Sequence, residues 1–133
     1  MTPLVSVVDY DISVRRSLDR LIRSVRLEVR LFASAEEFLN SDHSRKADCL
    51  ILDVRLPGMS GMELHHHLLA RRCHVPVIFI TAHGSDDTRL EAASDWTGAY
   101  FTKPFGGDEL LDAVNQALKW KPGDKDSGTK EIS

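Results

Sequence analysis

The chain has 133 residues, one domain's worth, with 42% hydrophobic and 28% charged residues, the balance of an ordinary globular protein. A net charge of −3 gives no electrostatic reason to expect nucleic-acid binding, and no apolar run approaches the roughly 20 residues needed to span a bilayer. Cys49 and Cys73 form no CxxC pattern, so neither a disulfide framework nor a zinc site is indicated; Cys49, inside the run CLIL, reads as a small core hydrophobe.

Met1 leads directly into an apolar stretch with no basic n-region or cleavage site, so the expected compartment is cytoplasmic. The first strand-like run is Leu4–Val8. An amphipathic segment follows, with Leu18, Leu21, Ile22 and Val25 at i, i+3, i+4, i+7 spacing. Leu27–Leu31 is the second strand-like run. Ser34-Ala-Glu-Glu37 then opens a second helix in capping-box form, its hydroxyl suited to the N3 amide and its glutamate to the return bond. The third run, Cys49–Leu52, precedes Ser60-Gly-Met-Glu63, which has the same form. Val77–Ile80 is followed by a helix expected near Ser85-Asp86-Asp87. Ala99–Thr102 is followed, after Gly106-Gly107, by a helix with Leu110, Leu111, Val114 and Leu118 on one face. From Lys119 the composition turns polar and breaker-rich; residues 1–120 read as the domain and 121–133 as a flexible polar tail or linker stub.

Five strand–helix repeats with mostly continuous apolar strands predict a parallel sheet covered by helices on both faces. Right-handed crossovers restrict it to a few doubly wound arrangements. Two smaller features read blandly. Consecutive helical residues point in different directions, so His65-His66-His67 is expected to be a solvated face and not a metal site. Arg16, Arg20 and Arg23 form a basic stripe on the first helix, of a kind that is usually only solvated.

Polar residues terminate four of the five strands: Asp9, Tyr10 and Asp11 after the first, Asp53 the third, Thr81 the fourth and Lys103 the fifth. In open α/β sheets the binding crevice lies at those carboxyl ends, where strand order reverses. Four strand ends that deliver carboxylates, a hydroxyl and an ammonium to one rim are hard to read as chance and mark it as the candidate site.

The segments VVDYDISVRRSL, LILDVRLPGMSGMEL, VIFITAH and YFTKPF closely resemble the motifs of response-regulator receiver domains, in family order from about Leu4 to Leu118. That resemblance implies a flavodoxin-like (βα)5 doubly wound parallel sheet of order 2-1-3-4-5, a strand order that comes with the family and not from spacing. It implies that Asp53 is the phosphoacceptor, taking a phosphoryl group from a sensor histidine kinase or phosphotransfer protein, with Lys103 and Thr81 contacting the phosphoryl oxygens. It implies a Mg²⁺ site formed by Asp9, Asp53 and the backbone carbonyl of Arg55, with Asp11 as a further candidate ligand. Tyr100 matches the switch aromatic, and Arg55 and His83 match positions that flank the phosphoryl group. Val14, Pro104 and Phe105 match the kinase-docking surface, and the Lys103–Pro104 bond is expected to be cis. Trp96 and Trp120 fall near the fourth and fifth helical segments. These, with the fifth strand, form the family's output face and a candidate homodimer contact. The SAEEFL and ITAHG segments resemble receivers of helix-turn-helix transcriptional regulators. No direct nucleic-acid or membrane binding is expected of the domain itself.

One position departs from the family. Two adjacent acids usually follow the first strand, whereas here the pair is Asp9-Tyr10. A neutral phenol is a poor Mg²⁺ ligand, and Asp11 more naturally caps the first helix, so weakened metal binding is expected. Two other readings stand beside the phosphoacceptor. A Mg²⁺-dependent phosphatase with an aspartyl nucleophile would want an acid two residues after Asp53, where Arg55 stands. A pseudo-receiver, acting as an interaction or dimerisation module without phosphorylation, is kept open by Tyr10.

Overall fold

The computed structural model describes residues 2–41, 46–82 and 97–120. Its strands are β1 (Leu4–Val8), β2 (Glu28–Phe32), β3 (Cys49–Asp53), β4 (Val77–Thr81) and β5 (Thr97–Thr102). Its helices are α1 (Ile12–Arg23), α2 (Ala35–Asn40), α3 (Gly61–Ala70) and a C-terminal helix, Gly107–Lys119. All neighbouring strands run parallel in the order β2-β1-β3-β4-β5, the order the resemblance implied.

The central strands β1, β3 and β4 are buried along their whole length, as a parallel sheet covered on both faces requires. Alternate side chains enter two separate cores. Leu50 and Leu52 join Phe32, Phe38, Leu64, Leu68 and Phe79 under α2 and α3. Cys49 and Ile51 join Leu18, Ile22, Ile78, Val114 and Ala117 under α1 and the C-terminal helix. Cys49 is fully buried as expected; burial, with Asp48 nearby, pushes its thiol pKa up to about 12.

Several local expectations shift. The second strand runs one residue later than Leu27–Leu31, because β2 pairs Leu4 with Glu28 and continues to Phe32, whose ring meets Phe38 edge-on at 5.3 Å. Val25 leaves the apolar face: α1 stops at Arg23, Arg26 turns the chain with φ +67°, and Val25 is 43% exposed. Ser60 and Glu63 form the reciprocal capping box, but Glu37 bonds the amide of Ala33 (3.4 Å) and not that of Ser34.

His65 is a correction. It is only 3% exposed, with its ring edge-on to Phe79 at 5.4 Å, so that position of the triplet belongs to the α3 core while His66 is exposed. The helix expected near Ser85, together with His83 and Trp96, lies outside the described residues, as does the proposed tail, 121–133. Trp120, just past the C-terminal helix, is half-buried and lines a 410 Å³ cavity with Asp48, Arg71 and Cys73. None of the described helices is long and apolar enough to cross a membrane.

Candidate functional site at the carboxyl ends of the strands

Chain order reverses between β1 and β3: from β1 the chain steps outward to β2, and after β3 it steps the other way to β4. The crevice at that point receives Asp9 and Asp53. Each site residue is held by a neighbouring strand through its backbone or that of the residue beside it. Asp9 N–H donates to the Phe32 carbonyl (3.0 Å), Val54 N–H to Ile80 (2.9 Å) and Lys103 N–H to Thr81 (2.8 Å). The strand pairing therefore sets where the side chains start, and little freedom remains at their Cα atoms.

Lys103 unites the pocket. Its Nζ lies 2.9 Å from Asp9 Oδ2 and 3.2 Å from Asp53 Oδ2, with Asp9 fully buried and Asp53 6% exposed. The other carboxylate oxygens take backbone amides: Asp11 N–H donates to Asp9 Oδ1 (2.8 Å) and Arg55 N–H to Asp53 Oδ1 (3.0 Å). Burial, and then the charge of Asp9, raise the Asp53 pKa above the ordinary carboxylate range; the Arg55 amide and Lys103 pull it back only in part. Burial works to lower the Lys103 ammonium, but its bond to Asp9 and the charges of both acids outweigh it, so the net shift is upward.

Two carboxylates against one ammonium leave the pocket with an excess negative charge. Hard oxygen donors with uncompensated charge suit a small divalent cation such as Mg²⁺, which commonly takes only one or two carboxylates. Asp9, Asp53 and the neighbouring Arg55 carbonyl fit such an ion by donor chemistry. Among the described residues no group of three or more His, Cys, Asp or Glu side chains is gathered to hold a metal. Asp11 does not join the pair as a further ligand in this arrangement: it is exposed, and its Oδ1 accepts the Ser13 amide (2.8 Å) as the N-cap of α1. Tyr10 is 66% exposed.

Thr81 is fully buried at the end of β4, beside Lys103 in the backbone ladder, and Tyr100 is half-buried against the α2–α3 core. Arg55 is exposed. Val14 and Phe105 are half-buried against the α1 core, and Pro104 is exposed after a cis Lys103–Pro104 bond.

Three contributors escaped sequence reasoning. Glu36 of α2 accepts the Met59 amide (2.9 Å), tying down the loop after β3; that bond is the main cause of its lowered pKa. Gly61 lets α3 approach the backbone of Asp53. Arg15 Nη1 donates to the carbonyls of Asp9 (2.7 Å) and Tyr10 (3.0 Å). The one sequence hint for Arg15 was a cation near the N-terminus of a helix, where the macrodipole disfavours it.

Comparison with known proteins gives a consistent result. Residues 5–115 match the family described as response regulator receiver domain. Nodulation protein W of Bradyrhizobium diazoefficiens is 48% identical over 116 residues, covering 87% of this chain but 51% of that protein. The chain thus spans about half the length of the curated relatives it matches. The structure of the response regulator StyR superposes with a TM-score of 0.85 at 38% identity, covering 99% of this chain and 67% of that one. A BeF3-activated receiver domain of DrrB superposes with a TM-score of 0.80 at 28% identity, covering 90% of this chain and all of that one; DrrB is a Thermotoga maritima protein.

Proposed function

Because the chain belongs to the response regulator receiver domain family, we propose that it is a phosphoacceptor switch in which Asp53 takes a phosphoryl group from the phosphohistidine of a sensor histidine kinase or phosphotransfer protein. The observation that carries this reading is the shared ion pairing of Asp53 and Asp9 with Lys103 in one pocket.

An Asp53 carboxylate oxygen attacks phosphorus, the new O–P bond forms, the P–N bond breaks, and the donor imidazole departs. Arg55 N–H holds Asp53 Oδ1, so the carboxylate cannot rotate freely, and Oδ2 on the Lys103 side is left to react. Lys103 offsets the phosphoryl charge once Asp53 carries the acyl phosphate, and the Thr81 hydroxyl donates to a phosphoryl oxygen. Asp9 and Asp53, with the Arg55 carbonyl, would hold Mg²⁺, which when bound supplies charge neutralisation of the transferring group. The consequence is a population shift felt through Thr81 and Tyr100 at the fifth strand and the helices beside it. That face is the candidate homodimer contact, and Val14, Pro104 and Phe105 the candidate kinase contact. The domain itself has no role at nucleic acid or membrane in this reading; it works in the cytoplasm, as residues 1–120 of the chain with 121–133 as tail or linker.

A second reading, the pseudo-receiver, is favoured by Tyr10 standing exposed where the family usually has an acid. Beryllofluoride with Mg²⁺ separates the two. Spectral changes at Thr81, Tyr100 and Lys103 in the native chain, absent in Asp53→Asn, are expected. No binding, together with no labelling by acetyl phosphate, would favour the pseudo-receiver.

A further inference from the structure

The segment between β1 and α1 carries Asp9 and must hold its carboxylate in a fixed place, yet it lies outside the sheet ladder after Asp9. Loop carbonyls normally face water, and a three-residue turn with free carbonyls samples several conformations. Here all three carbonyls of the turn are claimed by one residue. Arg15 Nη1 donates to Asp9 O at 2.7 Å and to Tyr10 O at 3.0 Å, and the Arg15 backbone amide donates to Asp11 O at 3.1 Å.

With those carbonyls fixed, the Asp11 amide faces back onto Asp9 Oδ1 (2.8 Å), and the carboxylate is then oriented with Oδ2 at 2.9 Å from Lys103 Nζ. The chain of contacts runs from the guanidinium through two peptide planes to the acid. Among the described residues the Arg15 guanidinium takes part in no ion pair, so carboxylate pairing does not account for its placement. A cation early in a helix opposes the macrodipole, and the negative ends of two carbonyls offset that cost. A planar guanidinium with several fixed donors suits this double contact.

We propose that Arg15 is a positioning residue for the cation-binding side of the pocket, holding Asp9 through the backbone and touching no reacting group itself. The inference rests on the reading that Asp9 and Asp53 bind Mg²⁺. It also explains how the pocket manages with Tyr10 in place of the second acid of the usual pair: Asp11 is engaged as the N-cap of α1, and the one carboxylate of the turn that faces Lys103, that of Asp9, is pre-oriented.

The test compares the native chain with Arg15→Ala and Arg15→Lys, with two readouts. One is solvent exchange of the Asp11 amide by NMR, which reports the turn whether or not any metal binds. The other is direct Mg²⁺ titration followed at the amides of Asp9 and Arg55. Arg15→Ala should accelerate Asp11 exchange about tenfold while α3 amides such as Leu64 stay unchanged, and should weaken Mg²⁺ binding about tenfold, within the range for outer-shell partners. Arg15→Lys, whose ammonium still reaches a carbonyl, should recover much of both. Unchanged exchange in Arg15→Ala, or faster exchange with unchanged Mg²⁺ affinity, overturns the positioning role. If the native chain takes up no Mg²⁺, the functional reading fails and with it the role assigned to Arg15, while faster Asp11 exchange in Arg15→Ala would then show only a structural clamp.

Discussion

Gly61 stands against the backbone of Asp53 so closely that a Cβ there would overlap the Asp53 carbonyl oxygen and approach Val54 Cα to 2.9 Å. The contact arises because α3 begins under the loop that leaves β3, and the Gly61 amide donates to the Val54 carbonyl at 2.9 Å. The first turn of α3 is thereby packed directly on the Asp53–Val54 backbone, with no side chain between them.

Gly61→Ala should therefore destabilise the domain by about 1–3 kcal/mol, since backbone cannot yield as a side chain can. It should also reduce acetyl phosphate labelling at Asp53 under conditions where the protein is still folded. Gly107→Ala is the control. Its Cβ would meet only the flexible Leu21 side chain, at 3.3 Å, so the change should stay within about 0.5 kcal/mol in urea denaturation. Equal costs at the two sites would contradict the backbone contact.

Asp53→Asn should abolish labelling and make the metal-free domain more stable near neutral pH, by an amount on the order of 1 kcal/mol. The sign follows from the raised Asp53 pKa: burial and Asp9 make its ionised form costly in the folded state. The stability tied to its protonated form is fully present below the unfolded-state carboxylate pKa and is lost as pH rises through the higher folded value. The advantage of Asn should accordingly shrink as pH falls through that window. Melting curves of both proteins between acid and neutral pH, without divalent metal, check it; a constant difference would remove the electrostatic explanation.

Tyr10→Asp should tighten Mg²⁺ binding by roughly 10–100-fold, because it places an acid beside Asp9 and Asp53, the proposed Mg²⁺ ligands. The added carboxylate also crowds Asp9 and Asp53, which Lys103 already neutralises only in part, so the metal-free melting temperature should fall. Calorimetric titration and paired melting curves measure both. Identical Mg²⁺ affinity would mean that the present ligands already complete the site.

Gly58 has φ +74°, and a Cβ on it would come 2.7 Å from Glu36 Oε2, the atom that accepts the Met59 amide. Gly58→Ala should cost about 1–2 kcal/mol, from the left-handed backbone and from displacing Glu36. Adding Glu36→Ala should remove the second contribution but not the first, so the double variant should lose less than the sum of the single losses. A double-mutant cycle in urea tests this; strict additivity would show that Glu36 and Gly58 do not interact.

Sequence alone determined the five strands to within a residue or two, the two-sided sheet and the rim of polar residues. Their signals are local: a fully buried strand must be continuously apolar, and a residue that ends a parallel strand must emerge at the sheet's carboxyl edge. Asp9, Asp53, Thr81 and Lys103 were legible for that reason. The strand order came from resemblance, and the residues of 83–96 and 121–133 lie outside the described structure. What tertiary structure decided depends on contacts between elements distant in the chain, or on bonds from side chains to backbone that carry no periodic signature. Helical spacing placed Val25 with the core, but α1 ends at Arg23, two residues before it; His65 is buried because Phe79 of β4 lies against α3. Asp11 has the chemistry of a ligand and the position of an N-cap, and the geometry of α1 gives it the second role. Glu36 and Arg15 bind amides and carbonyls, groups that every residue has, so their partners were fixed only when folding brought those backbones within reach.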